Sequence, residues 1–139
     1  MSLRSSIFFV VAACALTISG TRGQETLLTQ ADGLAIARAV NTAEVEFLVR
    51  SKRAVDLQSL RSHRFIKQVE STIDINWGAN PNAFSARGYD VRLALTNDQT
   101  QYTLTILPKL EQWKSGTCPP IYMTNESGII FQGTALGCE

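Results

Sequence analysis

The chain has 139 residues, 45% hydrophobic and 18% charged, with 13 Lys and Arg against 12 Asp and Glu. This length suits one domain, and the hydrophobic share excludes wholesale disorder. The near balance of charge excludes a strongly basic nucleic-acid binder and a polyacidic tail.

Residues 1–23 read as a secretory signal peptide. Met1–Ser6 carry one base, Arg4, and no acid. Ile7 to Leu16 are an apolar run, and small and polar residues lead from Thr17 to Gly23. A basic start, a short apolar stretch and a small-residue exit form the plan of an export signal. The run is about ten residues, against the roughly twenty that span a bilayer as a helix. Cleavage after Gly23 fits Thr21 and Gly23, with Ser19-Gly20 as a competing exit. Val11-Ala12-Ala13-Cys14 also resembles a bacterial lipobox, which would lipidate Cys14 and give the chain its route to a membrane. The expected location is the bacterial periplasm or the medium, with an outer-membrane lipoprotein as the alternative. Removal of 1–23 takes away two bases, Arg4 and Arg22, and no acid, so acids then outnumber bases by one.

The globular domain is expected over 24–139. From Glu25 to about Arg50 the chain is rich in Ala, Leu and Glu, without proline. Ile36, Val40, Ala43 and Phe47 recur at helical spacing, with Arg38, Asn41 and Glu44 on the neighbouring polar side. This predicts one amphipathic helix of about 25 residues, longer than the average. A short helix is expected over Val55–Ser62, with Leu57 and Leu60 inward. Residues 71–86 hold Asn76, Gly78, Asn80, Pro81 and Asn82, a loop composition. Tyr89–Leu95 and Tyr102–Pro108 alternate as half-buried strands joined through Asn97-Asp98, the second ended by a proline that cannot donate to a ladder. Lys109–Pro120 form a connection. Ile121–Met123 and Ile129–Phe131 flank Asn125-Glu126-Ser127-Gly128 as a hairpin in which Gly128 takes the positive φ. The predicted fold class is α+β: a long N-terminal helix on a small antiparallel sheet of about four strands.

Cys118 and Cys138 remain after export, an even pair in an oxidising compartment, so a disulfide is expected. Closing a loop of about twenty residues contributes roughly 3 kcal/mol in the chain-entropy picture. A metal site is disfavoured, because His63 is the one histidine and no CxxC spacing is present.

Ala39-Val40-Asn41-Thr42-Ala43-Glu44-Val45-Glu46-Phe47 resembles the helix segment of bacterial type IV pilin-like proteins. One branch of these has Asn-Thr-Ala-Glu ahead of a short Leu-rich stretch, here Asp56-Leu57-Gln58-Ser59-Leu60. The later segments agree in order: Gly88-Tyr89 with its strand, Tyr102–Pro108, and Ile121 to Ile130. The similarity covers roughly Thr29 to Cys138. It implies a pilin-like or pseudopilin globular domain, accessory to a type IV pilus or type II secretion-like system, or adhesive. The implied partners are pilus or secretion-system components or an envelope surface. The family's prepilin cleavage site and apolar half-helix have no counterpart, because Gln24–Gln30 is polar. The resemblance therefore implies the globular domain alone, delivered by a different signal. A secreted or lipid-anchored binding module that keeps only the scaffold is the alternative.

Catalytic patterns are absent from the sequence. His63 in Arg61-Ser62-His63-Arg64 lacks a GxSxG partner and reads as a surface histidine. Glu44 and Glu46, two apart on a helix, point different ways. No phosphate loop, HExxH or calcium loop occurs. No enzyme, cofactor, metal or small-molecule substrate is expected. Arg50, Lys52, Arg53, Arg61, Arg64 and Lys67 gather as a solvated helix end and loop, where cations suit the helix C-terminus, with a patch for an anionic envelope polymer or DNA as the alternative. Little aromatic interleaving supports nucleic acid. Trp77 and Trp113 read as core or loop anchors, and Asn125-Glu126-Ser127 as a turn that matches a glycosylation sequon.

Overall fold

A computed structural model describes residues 28–137. The expected signal peptide, the lipidation candidate Cys14 and the disulfide partner Cys138 lie outside the described residues, while Cys118 is exposed. Among the described residues no helix is long and apolar enough to cross a membrane.

The chain opens with α1 (Gln30–Ser51), then two short helices, α2 (Leu57–Leu60) and α3 (Arg64–Glu70). Six strands follow: β1 (Ile75–Trp77), β2 (Ala83–Ala86), β3 (Tyr89–Leu95), β4 (Tyr102–Pro108), β5 (Pro120–Asn125) and β6 (Ile130–Thr134). All pair antiparallel with their sequence neighbours, so the sheet is a meander in the order β1 to β6.

The expected pilin-like sheet of about four strands is therefore corrected to six. β1 and β2 lie inside 71–86, where turn residues suggested a loop. Asn76 is in fact a residue of β1, and the other turn residues occupy only 78–82, the middle of a hairpin. Strands of three and four residues hold too few alternations to stand out against them. The helical half is also corrected. Thr29 caps α1 in extended geometry, so the helix starts at Gln30 and not Glu25. The short helix expected over Val55–Ser62 shrinks to one turn, Leu57–Leu60, begun by Asp56, whose carboxylate accepts the Ser59 N–H at 2.7 Å. α3 is a further helix.

One sheet face is apolar because each long strand alternates. Tyr89, Val91 and Leu93 of β3, and Tyr102, Leu104 and Ile106 of β4, are buried, while Arg92, Ala94 and Thr103 are exposed. α1 lies on that face over β4 and β5, presenting Ile36, Ala37, Val40 and Ala43. α3 packs beside α1, and α2 and α3 are tied to the β1–β2 end through Glu70 with Trp77 and Gln58 N–H with Pro81 O. Leu57, Leu60, Ile66 and Val69 join the same core. The two-residue turn Arg87-Gly88 between β2 and β3 has φ of 43° and 74°, the primed geometry that matches strand twist. A side chain at Gly88 would also meet Leu28, at 2.8 Å, and the Trp113 indole, at 3.0 Å. Trp113 closes this end by donating to the Gly88 carbonyl at 3.0 Å.

Gly33 sets how closely α1 approaches the sheet. A Cβ there would lie 2.7 Å from both Tyr122 Cε2 and Tyr89 Cζ, and Tyr89 is fully buried. Gly→Ala inside an exposed helix gains about 0.5–1 kcal/mol from propensity. Here the ring contact reverses the sign. Gly33→Ala is expected to lower stability by about 1–3 kcal/mol, as overpacking does; a thermal melt that shows an unchanged or higher Tm would contradict this packing.

Candidate functional site

Helical periodicity puts Asn41 and Glu44 on the polar side of α1. Asn41 and Glu44 are in fact buried, with Glu44 fully so. The Asn41 Oδ1 accepts the Tyr102 hydroxyl at 2.6 Å and the Thr124 hydroxyl at 3.0 Å, and its Nδ2 donates to the Gly128 carbonyl at 3.4 Å. One amide thus joins α1 to β4, β5 and the β5–β6 turn. One turn further along, Glu44 Oε2 accepts the Val55 N–H at 3.1 Å, holding the α1–α2 connection. Its other oxygen has no hydrogen-bond partner among the described residues.

Burial pushes the Glu44 carboxyl up to about 7, opposed by the Val55 hydrogen bond and reinforced by nearby Asp56. A carboxyl sealed from solvent reaches no substrate, so the pair is a fastening. Because the folded protein holds this proton more tightly than a carboxyl of ordinary value near 4.5, ionisation opposes folding. The stabilising contribution is full below about 4.5 and is lost as pH rises through about 7, a swing of about 3 kcal/mol at most. Glu46 and Glu70 are held below the ordinary carboxylate range and so stay ionised across that window. Between pH 5 and 8 the melting temperature of the native chain should therefore fall relative to that of Glu44→Gln. Parallel pH profiles for the two would exclude this titration.

The six bases singled out in the sequence do come together around the C-terminal end of α1, α2 and α3, but four are already paired. Arg64 and Arg50 meet Glu46 at 2.7 and 3.8 Å. Lys67 and Arg61 meet Glu70 at 2.9 and 3.8 Å. The Arg64 bond is the main cause of the lowered Glu46 pKa. For Glu70, burial would raise it, and Lys67, Trp77 and Arg61 outweigh that. Arg61 also lies over the Trp77 ring at 5.5 Å. Lys52 and Arg53 make no ion pair among the described residues, which leaves a patch of two free cations on an otherwise neutralised surface. Screened pairs of this kind add little stability.

His63 is a correction to the surface-histidine reading. Its side chain is only 13% exposed and sits between Phe47 and Phe65. Nδ1 accepts the Phe65 N–H, capping α3, and Nε2 donates to Glu46 at 3.1 Å. Both nitrogens are engaged in holding α3 against α1, with no hydroxyl or thiol nucleophile bonded to either.

The sheet face away from the helices is two-toned. Over β2, β3 and β4 it forms a shallow groove of about 640 Å³ lined by Asn76, Asn82, Ser85, Asp90, Arg92 and Thr105. The β2–β3 register sets Ser85 opposite Asp90; the hydroxyl donates to that carboxylate at 2.9 Å and accepts from Lys109 Nζ at 3.0 Å, while Lys109 pairs with Asp90 at 3.1 Å. An ammonium already bound to a carboxylate takes no proton from the serine, so this is a bridged ion pair and not a nucleophile with its base. No local pattern signals this bridge, because it depends on β2, which was not expected.

Over β5 and β6 the same face turns apolar. Met123 is 47% exposed and Phe131, directly opposite it, 52%. Ile129, at the turn, is also exposed. β6 is the edge of the sheet, so among the described residues no strand pairs with its outer backbone groups. The sequence marked Ile129–Phe131 as a strand, but edge position depends on the strand order and is not a local property.

Among the described residues no group of three or more His, Cys, Asp or Glu is placed to hold a metal ion. Comparison with known proteins found no matching family model, no matching curated protein and no matching solved structure.

Proposed function

We propose that the chain is an exported, non-enzymatic protein of the bacterial envelope that acts through its surface. It serves as an accessory subunit of a type IV pilus or type II secretion-like system, or in adhesion. The ordered sequence resemblance from Asn41 to Gly128 supports the system. The observation that carries the surface role is the exposed apolar hairpin: Met123, Ile129 and Phe131 face solvent beside an open strand edge. Contiguous exposed apolar groups next to an unpaired edge mark contact sites more often than solvated ones. Meanwhile the buried polar groups that are spaced like a motif, Asn41 and Glu44, are occupied by internal fastening. Lys52 and Arg53 supply a weak secondary attraction for an anionic envelope polymer.

Photo-crosslinking from position 129, exposed on the same hairpin, in the host envelope tests the reading. Recovery of pilus or secretion components is expected, with loss of that recovery in Phe131→Lys. Crosslinks to none of these components would exclude the accessory role. Mass spectrometry of the native N-terminus separates a chain starting at Gln24 from a module lipidated at Cys14.

A further inference from the structure

We propose that two copies of this chain pair along their β6 strands, antiparallel about a two-fold axis at Gln132, forming one sheet that runs through both copies. The inference goes beyond the envelope role and does not rest on it, because the pairing is a property of the purified protein.

The two sheet edges are unequal. β1 has three residues and follows Asp74; its Trp77 indole donates to Glu70 at 2.7 Å and lies under the Arg61 guanidinium. β6 has five residues, Ile130-Phe131-Gln132-Gly133-Thr134, with no charge, no proline and, among the described residues, no helix packed chiefly on it. Those are the devices that ordinarily blunt an edge. No charged residue occurs from Ser127 to Gly137, so two identical edges meet without opposing like charges.

The register follows from the side chains. Phe131 and Gly133 lie on the open face, opposite Met123 and Ile121 of β5. A Cβ built on Gly133 meets nothing within 4 Å, so the space above it is open. An axis at Gln132 sets Phe131 of each copy opposite Gly133 of the other, and the ring covers the bare glycine, the arrangement that rescues edge glycines. The two Phe131 side chains become diagonal neighbours, about 7–8 Å apart and within reach of each other. Met123 flanks each ring, and a continuous apolar stripe results. An edge that its own sequence completes in this way selects a second copy as occupant.

The helices leave room. α1 packs chiefly on β5 and β4. At about 4.8 Å per strand, the two β5 strands would stand about 14 Å apart, more than the 10–12 Å diameter of a helix. The contact would bury roughly 400 Å² per copy, about half of a standard interface, so the pair is weak and concentration-dependent.

Sedimentation velocity of the full chain under reducing conditions, from about 10 µM to about 1 mM, tests the pairing in the concentration range of a weak interface. The native chain should pass from monomer to dimer across this range. Phe131→Lys and Phe131→Glu should each remain monomeric, at least tenfold weaker in association, and their equimolar mixture should regain the dimer because the opposite charges become diagonal neighbours. Phe131 is half exposed, so both variants should melt near the native temperature, which shows that the loss is not misfolding. A native chain that stays monomeric at the highest concentration overturns the proposal and leaves the edge to a foreign strand. A dimer that survives both substitutions, or a mixture that stays monomeric, overturns this register. None of these results depends on whether envelope components are recovered by crosslinking.

Discussion

The amide of Asn41 carries three hydrogen bonds at the one place where α1, β4, β5 and the β5–β6 turn converge. Removing it would leave the hydroxyls of Tyr102 and Thr124 buried without their partner, at a cost of about 1–3 kcal/mol each. Apolar burial alone does not fix where a smooth helix sits on a smooth sheet, because sliding it by one turn exchanges one set of methyl groups for another. A buried amide with three directional partners does fix it, since any slide breaks all three at once. Gly33 works with Asn41 from the other end of the helix. The first allows contact with two tyrosine rings and the second sets the position along the axis.

This fastening explains why the helix can have so weak a polar–apolar contrast. α1 buries Gly33, Ile36, Ala37, Ala39, Val40, Asn41, Ala43 and Glu44, more than a single stripe, because the sheet takes one side and α3 another. Ala39 and its small neighbours let α3 come close, and His63 with Glu46 ties the two helices where they diverge. Glu44 extends the same logic to the α1–α2 connection, at the expense of a carboxyl placed where its charge is disfavoured. The interior is therefore specified by polar groups and filled by apolar ones.

How much of this was readable from the sequence depends on the range of the interaction involved. β3 and β4 could be read from local alternation, because their seven residues each carry a full pattern of period two. β1 and β2 could not, since strands of three and four residues flank a run of turn residues and pairing with β3 supplies what propensity lacks. Asn41 and Glu44 were assigned to the wrong side for a related reason. Polar residues at helical spacing signal solvent unless their partners are known, and those partners lie 11 residues away for Glu44 and 61 and 83 away for Asn41. The basic cluster was legible as a cluster, but its neutralisation only in part: Arg50 meets Glu46 and Lys67 meets Glu70 within single helices, whereas Arg64 reaches Glu46 only after α3 folds back on α1.

The unequal edges tie structure to role most directly. A single Lys at an outward position of β6 would guard that edge without touching the core, and Phe131, half exposed, is such a position. The chain guards β1 with a carboxylate, an indole and a guanidinium, yet leaves β6 bare with an aromatic ring beside an uncovered glycine. Neither feature helps the isolated fold. The ring leaves half of itself in water there, and glycine within a strand weakens it. Both become favourable only when another strand lies alongside, as in the proposed pairing along β6.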